Sequence, residues 1–78
     1  MWRKGTVAIP DGGDYIVCKY EAKQYDEGSV YGINEGRISK LCITIDGRTV
    51  CNYDRGWDIE PTCEAAEMAL AIILKEHN

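Results

Sequence analysis

"RISKLCITIDGRTVCNYDRGW", residues 37–57, decides the fold. Two runs rich in β-branched residues flank Asp46-Gly47, and a type I′ turn needs positive φ at both central residues, which Asp and Gly tolerate. The stretch predicts a tight antiparallel hairpin. A two-residue loop fixes the register: Ile45 opposite Arg48, Ile43 opposite Val50, Cys42 opposite Cys51, Leu41 opposite Asn52, Lys40 opposite Tyr53, and Ser39 opposite Asp54. Side chains alternate across a strand, so this register predicts an apolar face of Leu41, Ile43, Ile45 and Val50. The other face is mixed and carries Ile38, Lys40, Cys42, Thr44, Thr49, Cys51, Tyr53 and Arg55. Cys42 and Cys51 fall at a non-hydrogen-bonded pair with α-carbons about 4.5 Å apart, the short edge of disulfide geometry.

The apolar stripe needs a cover, and "TCEAAEMALAIILKEHN", residues 62–78, reads as the helix that supplies it. Thr62 stands as N-cap after Pro61, Glu64 lies in the first turn, and Lys75 and His77 lie in the last, all on the favourable side of the helix dipole. Cys63, Ala66, Leu70, Ile73 and His77 keep helical spacing. Because "MALAIIL" is apolar almost all the way round, the helix and sheet are expected to meet a second subunit as well. Upstream, residues 4–9 and 15–22 read as strands separated by the turn "PDGGD". Residues 23–36 read as a long loop with a short extended piece at 30–33, either functional or pinned by Tyr25, Val30, Tyr31 and Ile33; with the mixed hairpin face, it makes the expected binding surface. The expectation is one domain over 1–78, of class α+β: a three- to four-stranded antiparallel sheet followed by one C-terminal helix packed on one face.

Thirteen acidic residues against nine basic ones give a net charge of −4. That balance disfavours a non-specific nucleic-acid binder and suits docking on a basic partner. The start "MWRKGTVAIP" lacks an apolar run of signal length and no segment reaches membrane-spanning length, so the reading is cytoplasmic with no membrane partner. In a reducing cytosol Cys18, Cys42, Cys51 and Cys63 are small packing residues. Without C-x-x-C spacing or a nearby His they do not form a metal site, and no cofactor is expected. The single His, His77, lies one residue from the end of the sequence. The acid pairs Asp26–Glu27 and Asp54 with Asp58 lack a partner with a catalytic role, so an enzyme is not expected.

In the arithmetic register Arg37, Ser39 and Lys40 meet Tyr53, Asp54 and Arg55. Asp54, Gly56 and Trp57 are read as structural: an Arg37–Asp54 charge pair, a glycine turn, and a Trp folded back under the sheet or helix. Lys40, Tyr53 and Arg55 on the mixed face, with Arg37 and the loop residue Tyr31, are read as the binding residues. An aromatic ring flanked by cations suits a phosphate-bearing or planar ligand, or an acidic protein surface.

Several motifs run along the chain: Trp2-x-x-Gly5, Ser29-x-x-Gly32-Ile33, Gly-Arg-Ile-Ser-Lys-Leu at 36–41, and Asn-Tyr-Asp-Arg-Gly-Trp-Asp at 52–58 with Pro61. On these it resembles a family of small proteins from Firmicutes, their phages and other mobile elements that has no assigned activity. The resemblance implies a setting: compact accessory proteins of phages often antagonise host defence by binding something. The expected function is thus a non-catalytic binding module, a homo-oligomer, that takes a host protein or its nucleotide signal. Element order also resembles the single-stranded-DNA-binding coactivator fold, ββββα, which dimerises through its helix. That analogy supplies the alternative, a single-stranded nucleic-acid binder using Lys40, Tyr53 and Arg55 with Arg37 and Arg48.

Overall fold

The computed structural model describes residues 1–78. It contains β1 (Trp2–Asp11), β2 (Asp14–Gln24), a 3-10 turn (Ile33–Glu35), β3 (Ile38–Ile45), β4 (Arg48–Asp54), β5 (Trp57–Ile59) and α1 (Glu64–His77). The five strands form one antiparallel sheet in sequence order. Helix α1 lies across β1, β2 and β3 on one face. The α+β class and the single covering helix match the sequence reading. The strand number is five rather than three or four: β5 is three residues long and follows the corner at Arg55–Gly56, too short to leave an alternation pattern.

Asp46-Gly47 makes the expected reversal, with φ of 50° and 78°, and Ile45 opposes Arg48. Past Thr44–Thr49 the ladder departs from the arithmetic. A bulge lets Ile43 pair with Cys51, so Cys42 meets Asn52, Leu41 meets Tyr53, and Lys40 meets Asp54. One inserted residue moves every later side chain of β4 to the other face. The physical reason is burial. With the bulge, Val50, Cys51 and Tyr53 are all in the core, at 8%, 0% and 7% exposure; a regular ladder would leave Cys51 and the Tyr53 ring on the uncovered face. The irregular turn of backbone is satisfied too, because Thr62 N–H donates to Val50 C=O at 3.0 Å.

Four expectations are corrected. Tyr53 does not stand beside Lys40 and Arg55 on an outward face; its ring is in the core and packs edge-on against Trp57, centroids 5.1 Å apart. Trp57 itself remains substantially exposed in the edge strand instead of folding under the sheet. Cys42 and Cys51 point to opposite faces, and all four cysteines are free thiols. Arg37 is not paired with Asp54 either: its guanidinium donates to the His77 carbonyl at 3.3 Å.

On the covered face, Ile9, Cys18, Tyr20, Ala22, Leu41 and Ile43 meet Ala65, Ala66, Ala69 and Ile73 of α1. Three alanines bring the helix backbone close to the sheet. The helix leaves Met68 and Ile72 exposed, a narrower apolar strip than its composition suggests. Its N-cap is Cys63 rather than Thr62, with extended backbone and no side-chain capping bond. Glycine at position 5 is required by the Tyr20 ring above it: a Cβ there would stand 2.7 Å from the phenol oxygen. No helix is long and apolar enough to cross a membrane.

Candidate functional site

β2 and β3 pair antiparallel through Lys23–Lys40, with an irregularity at Gln24 that sends the chain into residues 25–37. This segment contains no extended piece at 30–33. It is a compact loop closed by Tyr25 N–H to Arg37 C=O at 2.9 Å and Ser29 N–H to Gly36 C=O at 3.2 Å. Ile33 is its buried plug. The loop is tied to the end of α1: the Asn78 amide donates to Ile33 C=O and accepts from Ile38 N–H, both at 3.0 Å. A Cβ at Gly36 would collide with that amide. Gln24 Nε2 donates to His77 C=O at 2.6 Å, and the His77 ring meets the Tyr20 hydroxyl at 3.1 Å. Helix end, loop and sheet are therefore one framework.

This framework forms one wall of a hollow of about 440 Å³ lined by Lys23, Tyr25, Ser29, Tyr31, Ser39, Lys40 and Arg55. Its size is that of a small-ligand pocket. Lys23 and Lys40 stand directly opposite each other on neighbouring strands, and like charges so placed repel. Arg55 completes the set. It lies just past β4 with φ of 57°, an uncommon conformation for a side-chain-bearing residue. Its N–H donates to Ser39 C=O at 2.9 Å, which fixes the corner and aims the guanidinium at the hollow.

One carboxylate serves two of the three cations. Asp54 Oδ1 is 3.8 Å from both Lys40 Nζ and Arg55 Nε; these exposed pairs orient side chains more than they stabilise. Lys23 Nζ lies 5.4 Å from the Tyr25 ring centroid. The Tyr25 phenol is held below its ordinary pKa, chiefly by the Lys23 ammonium; burial opposes this, and the Ser39 hydroxyl and the Lys40 charge add lesser contributions in the lowering direction. Tyr25 and Tyr31 are exposed rings on the loop wall. The Tyr31 carbonyl accepts from the Tyr53 hydroxyl at 2.9 Å, so Tyr53 supports the wall from behind.

Of the residues read from the sequence as binding, Tyr31, Lys40 and Arg55 converge here. Tyr53 buttresses them, and Arg37 points instead at the end of α1. Asp54, read as structural, is the shared counter-ion of the hollow. Lys23, Tyr25 and Ser29 lie in the 23–36 loop expected to share the binding surface but were not singled out there, and Ser39 was read only as the hairpin residue opposite Asp54. The signal lay in the β2–β3 register, which brings Lys23 to Lys40 across a thirteen-residue connection (residues 25–37). No three His, Cys, Asp or Glu side chains gather anywhere into a cluster able to hold a metal ion.

The sequence profile of a domain of unknown function, DUF7678, matches residues 1–78. The chain belongs to that family. No curated protein and no solved structure matches it. The family's full-length match spans the hairpin, the loop and the helix end together, so the elements that frame the hollow all lie inside the one family domain.

Proposed function

We propose that this chain is a small non-catalytic binding module, of phage or mobile-element origin, that captures a phosphorylated ligand in the Lys23–Lys40–Arg55 hollow. The ligand class that suits it is a nucleotide serving a host defence system as its signal, which makes the module an antagonist of that defence. The observation that carries the reading is the gathering of three cations, two phenols and two hydroxyls around one hollow in a chain of net charge −4. Phosphate oxygens take charge-assisted hydrogen bonds from Lys and Arg, and a planar base finds the Tyr25 and Tyr31 rings alongside. The only imidazole is engaged with Tyr20 on the helix-covered face, which leaves the hollow with groups suited to holding an anion.

Calorimetric titration with nucleotides, the matching nucleosides and inorganic phosphate tests this. Nucleotides are expected to bind, nucleosides to bind far more weakly, and Lys40→Met or Arg55→Met to weaken binding at least tenfold while the fold persists. A panel of mono-, di- and cyclic nucleotides that all fail to bind at low salt would remove the proposal.

A second reading rests on the uncovered face of the sheet. Trp2, Lys4, Lys19, Lys23 and Lys40 share it by register, and the last two continue into the hollow. A single strand laid across it would stack on Trp2 and thread its phosphates between lysines. Binding of single-stranded oligonucleotides that falls steeply with salt supports this alternative; absence of binding at low salt excludes it.

A further inference from the structure

The two edges of the sheet are treated differently by this sequence. β5 is a three-residue edge whose pairing to β4 is irregular. β1 is a ten-residue edge paired to β2 through ten consecutive partners with no bulge. Long regular edges are templates for another strand, and proteins ordinarily blunt them. The Lys4 ammonium reaches across the exposed sheet face to Glu21 on β2 at 3.5 Å.

Which backbone groups face outward follows from the turn. Gly12-Gly13 closes the β1–β2 hairpin with φ of 56° and 91°, so Asp11 and Asp14 form a hydrogen-bonded pair, and so do Ile9–Ile16, Val7–Cys18 and Gly5–Tyr20 in alternation. The intervening residues Trp2, Lys4, Thr6, Ala8 and Pro10 aim their backbone groups away from β2. None of the loop, turn and cap hydrogen bonds of the backbone involves residues 2–11.

We propose that this edge is the homodimer interface: β1 of a second copy pairs with it antiparallel about a two-fold axis at Thr6. Outward groups meet only when residue numbers across the pair sum to an even value, and a sum of twelve engages all five outward residues. Thr6 then faces Thr6 of the second copy, Lys4 faces Ala8, and Trp2 faces Pro10. The exposed Trp2 ring gains an apolar partner at each end of the interface, and the one residue lacking an N–H, Pro10, falls at the end of the ladder where a single bond is forgone. The pairing is isologous and closes on itself, joining two five-stranded sheets into one. It leaves the hollow at Lys23, Lys40 and Arg55 unobstructed on each copy, and it does not use the Met68–Ile72 strip of α1.

Light scattering coupled to gel filtration, with circular dichroism on each variant, tests the interface. The wild-type chain is expected to be a dimer at micromolar concentration. Thr6→Lys and Thr6→Glu each place like charges across the axis and are expected to be monomeric, while an equimolar mixture of the two restores a dimer. Should Thr6→Lys fail to fold, Thr6→Pro removes an N–H that the single chain leaves unused and reads the same contact. Ile72→Glu is expected to remain dimeric. A monomeric wild type, Thr6 variants that still dimerise, or monomers produced by Ile72→Glu alone would each overturn the β1 interface.

Discussion

Truncating Tyr53 separates the bulged register from the regular one. In a regular ladder Tyr53 is a surface ring and its loss changes stability by about 0.5 kcal/mol or less. In the bulged ladder it is 7% exposed, packed edge-on against Trp57 and hydrogen-bonded to the Tyr31 carbonyl. Emptying such a site costs about 3–5 kcal/mol. A domain of this length has roughly 4–12 kcal/mol in total, at the usual stability per residue, so Tyr53→Ala is expected to lose a large share of it. Tyr53→Phe keeps the ring and loses only the hydroxyl bond, about 0.5–1.5 kcal/mol, with a melting temperature lowered by about 4–8 °C per kcal/mol. Urea titration followed by far-ultraviolet circular dichroism reads both, with Lys40→Met as the surface comparison expected to stay near wild type. A Tyr53→Ala midpoint equal to that of Lys40→Met would refute the slipped register and the burial argument behind it.

The Asn78 amide makes two hydrogen bonds to the loop backbone, so Asn78→Ala is expected to cost about 1–3 kcal/mol and to speed limited proteolysis within residues 25–37. Gly36→Ala is expected to destabilise the wild type by collision with that amide and to cost less in the Asn78→Ala background; equal costs in both would show the two residues to be uncoupled. The thiols divide by burial: a thiol-reactive dye is expected to label Cys63 and Cys42 in the native protein, and Cys18 and Cys51 only after unfolding. Burial, with the neighbouring Cys42 adding to it, pushes the Cys51 thiol up from about 9 to about 11. Between those values the unfolded chain releases a proton that the native chain keeps, so stability is unaffected below pH 9 and falls by up to about 1.4 kcal/mol per pH unit above it. Urea midpoints from pH 8 to 10.5 check this, and Cys51→Ala is expected to flatten the upper part of the profile.

The hairpin turn, the α+β class and the helix were legible because each has a short-range cause: positive φ at Asp46-Gly47, alternation in 38–45, and helical spacing in 63–77. The bulge was not legible, because its cause is long-range. Val50 gives up its place in the ladder so that Cys51 and Tyr53 can reach the core, and its carbonyl is satisfied by Thr62 twelve residues later. The same holds for the clasp. His77 and Asn78 read as a polar helix end, yet they tie down a loop some forty residues earlier. Three of the seven lining residues, Tyr31, Lys40 and Arg55, were legible in the sequence. The rest waited on the β2–β3 register, which no local signal in residues 25–37 specifies.

The corner that holds the hollow breaks several local rules at once. Lys23 and Lys40 are opposed on adjacent strands, Arg55 sits at positive φ where Gly56 beside it would have been free to, and three cations gather in an acidic chain. Positive φ recurs at Asn34 and Glu35 in the adjoining loop and at Asp46 in the hairpin turn; the core is apolar, and no buried side-chain polar atom lacks a hydrogen-bond partner. Departures of this kind concentrate where function requires them. Repulsion between Lys23 and Lys40 is only partly offset, since Asp54 reaches Lys40 and Arg55 at 3.8 Å but forms no ion pair with Lys23. An anion seated between the two lysines converts that repulsion into attraction, so bound ligand should stabilise the fold in proportion to RT ln(1 + [L]/Kd), about 2.7 kcal/mol at a hundredfold excess over Kd. On the proposed function, the anion would offset a repulsion between side chains that contribute little to the core.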